Sequence, residues 1–395
     1  MIHPIRTAAA VSLLSLAIIP FFSPPLGAQS PNTLSDTELT DGWILLFDGE
    51  TLFGWTPVSD ADWKAADGMI TASEGSPGLL RTTSQFGDFE FACEYKLSAG
   101  GKSGVYLRTS PKPTNLATQA YAVSLGSVAE TPPGSLLQRK KAETNNPEAG
   151  WQSLYVSAEA GTITVRINGT EVVQYVDPTP AGRGYIALEF AGDPVSFRAI
   201  KLKPVGARSL FNGMDLSGWV TYPEMDSVVS VTDKGEMRIR NGKGQIETEG
   251  KYGNFILQLQ VFVNGDDLNS GVFFRCIPGD VMMGYESQIH NSMIDGDPNR
   301  PADCGTGGIF RRQDARKIVA KDFEWFTKTI HVCDNHMAVW VNGIQVSDWT
   351  DTRKPHENPR KGLRTEPGTI QLQGHDPTTD FLFKNLRISE IPDRW

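Results

Sequence analysis

The sequence predicts an all-β protein of two tandem jelly-roll or β-sandwich domains, and three observations carry that expectation. The chain says nearly the same thing twice: Phe47-Asp48-Gly49 with Leu52, Gly54 and Trp55 returns as Phe211-Asn212-Gly213 with Leu216, Gly218 and Trp219. Segments that alternate apolar and polar residues recur, the period-two signature of half-buried strands. Long helical periodicity is absent, and Gly and Pro punctuate the short strands throughout.

The duplication continues along both halves. Ser103-Gly104-Val105-Tyr106-Leu107-Arg108 is echoed by Ser270-Gly271-Val272-Phe273-Phe274-Arg275, and Trp151 with Asn168-Gly169 by Trp325 with Asn342-Gly343. A repeat of well over a hundred residues means tandem domains and not a short-period solenoid. Residues 89–95 and 255–261 alternate cleanly and read as strands. Residues 162–167 and 336–341 each run into Asn-Gly and a second apolar run, the pattern of a hairpin whose two turn positions need positive φ. The boundaries expected are a signal peptide over 1–28, a flexible polar leader over 29–40, one domain over 41–205 and another over 206–395. Two long loops, 126–150 and 291–324, are expected to be functional or mobile.

Arg6, an apolar run from Ala8 to Phe22 and the small residues Gly27-Ala28 have the layout of a secretory signal peptide cleaved after Ala28. Removing it leaves 36 Lys and Arg against 46 Asp and Glu, a net charge of −10. An acidic chain with no basic run is a poor match for nucleic acid or anionic lipid. No later segment is apolar enough to span a bilayer, so a periplasmic or secreted protein is expected. The four cysteines, Cys93, Cys276, Cys304 and Cys333, match no metal spacing. A Cys276–Cys304 disulfide is conceivable, and buried free thiols are the alternative.

Residues found in both copies are expected to build the fold, and polar residues found in one copy are candidates for chemistry. Copy two reads Tyr285-Glu286-Ser287-Gln288-Ile289-His290 where copy one reads Tyr121-Ala122-Val123-Ser124-Leu125-Gly126. On a strand Glu286, Gln288 and His290 share one face, giving a carboxylate, an amide and an imidazole where the sister copy has Ala, Ser and Gly. His331 stands where copy one has Ser157, and Gln371 and Gln373 share a face just before His375. Arg275 is matched by Arg108, which also allows a structural role. His336 and His356 fall in a turn and a polar loop and read as surface residues.

These residues carry a family resemblance. The Phe-Asp/Asn-Gly…Leu…Gly-Trp opening, residues 269–275 and 285–289, Thr306-Gly307-Gly308-Ile309-Phe310, Glu324-Trp325, Asn342-Gly343 and the ending from Leu372-Gln373-Gly374-His375 to residues 383–388 resemble the 3-keto-disaccharide hydrolase family. The match covers nearly all of residues 209–391; residues 43–204 match the framework alone. The resemblance implies a concanavalin-like jelly roll acting on 3-keto sugars, by hydrolysis or by lyase and hydratase steps. It points to Glu286, Gln288 and His375, with Arg275 nearby. The chain departs from the family with His290 in place of Asp and Phe326 in place of Asn.

A ketone at C3 acidifies the C2 proton, so a modest base can remove it, the enolate can expel the C1 group, and water can add back. The residue types supply candidates: His290, His331 or His375 with Glu286 for proton transfer, and Arg275, Gln288, Trp325 and Gln373 for holding the sugar. A divalent metal held by Glu286 and His290 and polarising the sugar oxygens suits these donors. A two-carboxylate glycosidase is less supported, because no second acid stands beside Glu286. The rival function is a non-catalytic glycan-binding jelly roll using the same face; a cell-surface structural module would explain copy one and leave copy two unexplained. Clustering of the polar residues of copy two in one pocket discriminates these readings.

Overall fold

A computed structural model describes residues 30–126, 131–143 and 150–393. The predicted signal peptide lies outside the described residues. Nearly every element is an antiparallel strand, and the strands form four sheets, an eight-stranded and a five-stranded one for each copy. No helix among the described residues is long and apolar enough to cross a membrane.

The two copies share one topology. In the first, the small sheet runs Trp55–Pro57, Gly78–Phe86, Gly184–Phe190, Gly104–Thr109, Tyr121–Ser124 in spatial order. In the second, it runs Trp219–Thr221, Gly244–Thr248, Thr369–Gly374, Ser270–Cys276, Tyr285–Ile289. Each packs face to face on its large sheet, because alternate residues of every strand point inward. In Phe255–Val263 the inward set is Phe255, Leu257, Leu259, Val261 and Val263, all buried in the second core. The expected hairpins form, with Asn168, Gly169, Asn342 and Gly343 all at positive φ.

The sandwiches pack directly on each other, and from Pro31 onward the described residues form one compact unit. The outer face of the large sheet of copy two presents Ile256, His331, Ala338 and Trp340, where copy one has Glu90, Ser157, Thr164 and Arg166. Ile256, Ala338 and Trp340 join the core of the first sandwich, and the Trp340 indole donates to Leu45 O at 2.9 Å. Ion pairs flank the seam: Arg183 to Asp334 at 2.7 Å and Arg316 to Asp48 at 2.6 Å.

Residues 30–40, expected as a flexible leader, are instead built into this seam. Ser35 and Glu38 form a reciprocal capping box that starts the helix Asp36–Asp41, and Gly42 ends it at φ 97°. The Asn32 side chain donates to Gly68 O and accepts from Ala199 N, both at 2.9 Å. The Ser-x-x-Glu spacing was the sequence signal for this order, and polarity alone concealed it. The conceivable Cys276–Cys304 disulfide is not formed: all four cysteines are buried free thiols.

Candidate active site

The outward face of the small sheet of copy two is polar and buried. Cross-strand register sets it in two rows, Glu247–Gln371–Phe273–Glu286 and Gln245–Gln373–Gly271–Gln288. Residues 277–284 lie across the Glu247 side. Met282 N donates to Gln245 Oε1 at 2.9 Å, and Asp280 O accepts the Gln371 amide at 3.1 Å. The Thr306–Phe310 stretch pairs along the outer edge of the Glu286 strand, with Phe310 N to Glu286 O at 3.0 Å and Gly307 N to Gln288 O at 2.9 Å. Gly307, at φ 92°, leaves no space for a side chain, because a Cβ would meet Val346 at 2.4 Å.

The two carboxylates of this face differ sharply. Glu247 accepts from Tyr222, Thr369 and the backbone of Gly279 and so anchors the covering loop. Glu286 has no hydrogen-bond donor on its carboxylate among the described residues, and it lies over Gly271, where a Cβ would meet Oε1 at 2.6 Å. Burial pushes the Glu286 carboxyl up to about 7, against the opposing pull of Arg360 and Lys328. The carboxylates stand three strand spacings apart, about 14 Å, too far for the paired-carboxylate geometries of glycosidases. A pocket of about 60 Å³ opens beside Glu286 between Phe310, Arg311, Arg312 and Arg360.

Around Glu286, three buried glutamine oxygens, the Oε1 atoms of Gln288, Gln371 and Gln373, meet no protein donor among the described residues. An unmet buried acceptor costs about 1–3 kcal/mol, so such a group of acceptors on one face fits a ligand rich in hydroxyl donors. The matching face of copy one is closed by apolar packing. Leu79, Tyr106, Ala122 and Ala187 form a cluster there with Leu116 and Leu137, and Tyr106 Oη donates to the single carboxylate, Glu189, at 2.9 Å.

The structure brings together Glu286, Gln288 and Gln373 of the expected site residues and separates the others. His290 and His375 each stand two residues along their strands beyond Gln288 and Gln373, about 7 Å, and about 13 Å from the Glu286–Gln371 row. The His290 ring meets Ala302 O at 3.2 Å and Ser292 Oγ at 3.3 Å; the His375 ring is half-buried and meets Asp376 at 2.9 Å. His331 lies outside this face. It faces the first sandwich, with Nε2 2.6 Å from Gln85 O, and burial pushes it down to about 3. Trp325 lies on the outer face of the large sheet under Lys384 Nζ at 3.8 Å, as Trp151 lies under Arg198 at 4.0 Å. Arg275 is a structural residue, fully buried and donating to Gly253 O, Asp334 O and Arg364 O, as Arg108 in copy one donates to the matching Gly87 O and to Ala158 O and Ala181 O. For a metal, the spacing of Glu286 and His290 and the occupied ring nitrogens of His290 do not fit a shared ion. Among the described residues no three His, Cys, Asp or Glu side chains converge.

Lys328 is a site residue that residue type alone did not single out. It stands at a core-facing position between Phe326 and Ile330, where copy one has Leu154. Its ammonium crosses the sandwich to Gln288 O at 2.6 Å and Ser287 O at 3.0 Å, directly beneath the Glu286 strand. Burial pushes it down to about 7.

A family model described as the 3-keto-alpha-glucoside-1,2-lyase-like domain matches residues 42–203 and again 206–389. The chain belongs to this family. As a tandem 3-keto-alpha-glucoside-1,2-lyase-like protein it is also similar to a 3-keto-disaccharide hydrolase of Bacteroides thetaiotaomicron, 32% identical over 97 residues. That match covers 22% of this chain and 33% of the relative, so the chain spans about a third of the length of that curated relative. Among solved structures, a Parabacteroides distasonis protein provisionally described as a glycosyl hydrolase is 26% identical, with a TM-score of 0.36, covering 47% of this chain and 98% of the other. A carbohydrate-binding module of Bacillus subtilis is 13% identical with a TM-score of 0.32, covering 38% and 95%. Both copies of the 3-keto-alpha-glucoside-1,2-lyase-like domain keep the framework, and among the described residues only the second carries the polar face with a carboxylate that meets no donor.

Proposed function

We propose that this protein cleaves 3-keto glycosides on the polar face of the second sandwich, with Glu286 moving the proton. The observation that carries the reading is the Glu286 carboxyl, buried, free of donors and poised near neutrality, where copy one has Ala122. A group titrating near the working pH both takes and returns a proton efficiently. Ionised Glu286 removes the C2 proton, and the electron pair moves into the C3 ketone as an enolate. The enolate then re-forms the carbonyl as the C1–O bond breaks and a C1=C2 bond forms. The leaving oxygen takes the proton held by Glu286. Water adds across C1=C2, hydroxyl to C1 and hydrogen to C2, so the net change is hydrolysis to a 3-keto sugar and a free alcohol. The Oε1 atoms of Gln288, Gln371 and Gln373 accept sugar hydroxyls and fix the ring. The first sandwich, with its matching face filled by apolar side chains, acts as the scaffold on which the second is docked. The N-terminal apolar run from Ala8 to Phe22, with Gly27-Ala28 after it, supports an exported protein, periplasmic or secreted.

The test uses 3-keto-α-glucosides and their unoxidised parents, each with and without EDTA, with products followed by mass spectrometry. Turnover of the keto sugars alone is expected. Binding of both forms with cleavage of neither sinks the enzyme reading in favour of a glycan-binding module, and loss of turnover in EDTA contradicts a site that works without a metal.

A further inference from the structure

The pocket beside Glu286 has a cationic wall in a chain whose net charge is −9. Arg311, Arg312 and Arg360 line it together with Glu286, and none of the three is ion-paired among the described residues. Arg312 gives its terminal nitrogens to Arg311 O at 3.0 Å and Arg360 O at 2.8 Å. Arg360 donates to Met282 O at 2.9 Å and lies 5.9 Å over the Phe273 ring, within the row that ends in Glu286. Arg311 is exposed and makes no side-chain hydrogen bond among the described residues.

The sister copy shows what such an arginine does when it is structural. In copy one, Leu136 bridges Val123 and Lys140, and Arg139 follows Leu136 by three residues. In copy two, Ile309 bridges Ser287 and Gln313, and Arg312 follows Ile309 by three. Arg139 pairs with Asp177 at 3.0 Å, and Tyr121 donates to the same carboxylate. The equivalent pair in copy two, Tyr285 and Asp351, keeps its hydrogen bond at 2.8 Å, but Arg353 has taken the carboxylate in a two-pronged contact at 2.8 and 2.9 Å. Arg312 is thereby released from its acid. Burial, with Arg353 as an added like charge, pushes its guanidinium below the ordinary arginine range, against the opposing pull of Asp351.

We infer that Arg311, Arg312 and Arg360 form a subsite for an acidic group on the substrate, a carboxylate held beside Glu286. The planar donors of arginine suit a carboxylate better than a neutral hydroxyl. A cavity of about 60 Å³ admits a handful of waters or one such group. The inference rests on the proposed site and narrows its substrates to glycosides that carry an acid, either at C6 as a uronate or on the leaving group.

Isothermal titration of the purified protein separates these sources. The probes are methyl α-glucuronide against methyl α-glucuronamide, and 4-carboxyphenyl α-glucoside against its carboxamide, each as the 3-keto and as the unoxidised sugar. In at least one pair the acid is expected to bind tenfold or more tightly than its amide, with the preference shrinking as salt is raised. The preference should fall to within about twofold in Arg312→Gln and in Arg360→Gln. Arg311→Gln, whose side chain holds no other part of the fold, should weaken it without loss of stability. Equal binding of acid and amide in both pairs, or no binding of either, overturns the subsite. An acid preference that survives while no 3-keto sugar is turned over leaves the subsite standing and removes the proposed reaction instead.

Discussion

Glu286→Gln is expected to lower kcat on a 3-keto glycoside by about a thousandfold, the middle of the range for losing a general acid–base. The same change is expected to stabilise the protein at alkaline pH. Glu286 titrates near 7 in the fold against 4.5 as an ordinary glutamate. The folded protein therefore keeps a proton that the unfolded chain gives up between those values. The stability tied to that proton is complete below pH 4.5 and is lost as the pH rises through 7. Glutamine has no such titration, so the variant should gain up to about 3 kcal/mol at pH 8 and almost nothing at pH 4. Melting curves at the two pH values read this directly. A variant less stable at pH 8 would show that Glu286 is held by the structure and is not free within it.

Lys328→Leu, which installs the residue of copy one, carries the second large effect. The ammonium is one of the charges that oppose the rise in the Glu286 pKa. Removing it should move the ascending limb of the pH–rate profile above 7 and lower kcat at pH 7 several-fold, with KM little changed. Stability should move the other way. The lysine titrates near 7 in the fold against 10.5 outside it, so its burial weighs against folding below pH 7 and less as the pH rises towards 10.5. The leucine variant is then as stable as the parent or more so at pH 6, in keeping with apolar replacements of buried charge. A pH–rate limb that stays in place would make Lys328 a strand support and nothing more.

The duplicated sandwich was legible because framework residues repeat with period two in both halves. The face shared by Glu286, Gln288, Gln371 and Gln373 followed from the same alternation. His331 was misread because its histidine type outweighed its parity: Phe326, Ile330 and Val332 point inward on its strand, so His331 must point out. The inward set also includes Lys328, a charge at a core position and the sequence signal that residue type alone did not reveal. The seam between sandwiches had a signal too, in Ile256, Ala338 and Trp340 standing where copy one keeps Glu90, Thr164 and Arg166. What no local pattern showed is the loop over residues 277–284, whose contacts with Gln245 and Gln371 join segments distant in the chain. The release of Arg312 from its acid is equally remote, since it depends on Arg353 some forty residues later.

Removal of the C2 proton by Glu286 leaves a solvent isotope signature in the product. A 3-keto-α-glucoside is turned over in D2O, and early product is analysed for deuterium at C2 against a control without enzyme. One deuterium at C2 of the released 3-keto sugar is expected for the parent protein, and neither product nor exchange above the control for Glu286→Gln. Product formed with hydrogen retained at C2 would mean direct displacement at C1, and the role given to Glu286 would be wrong.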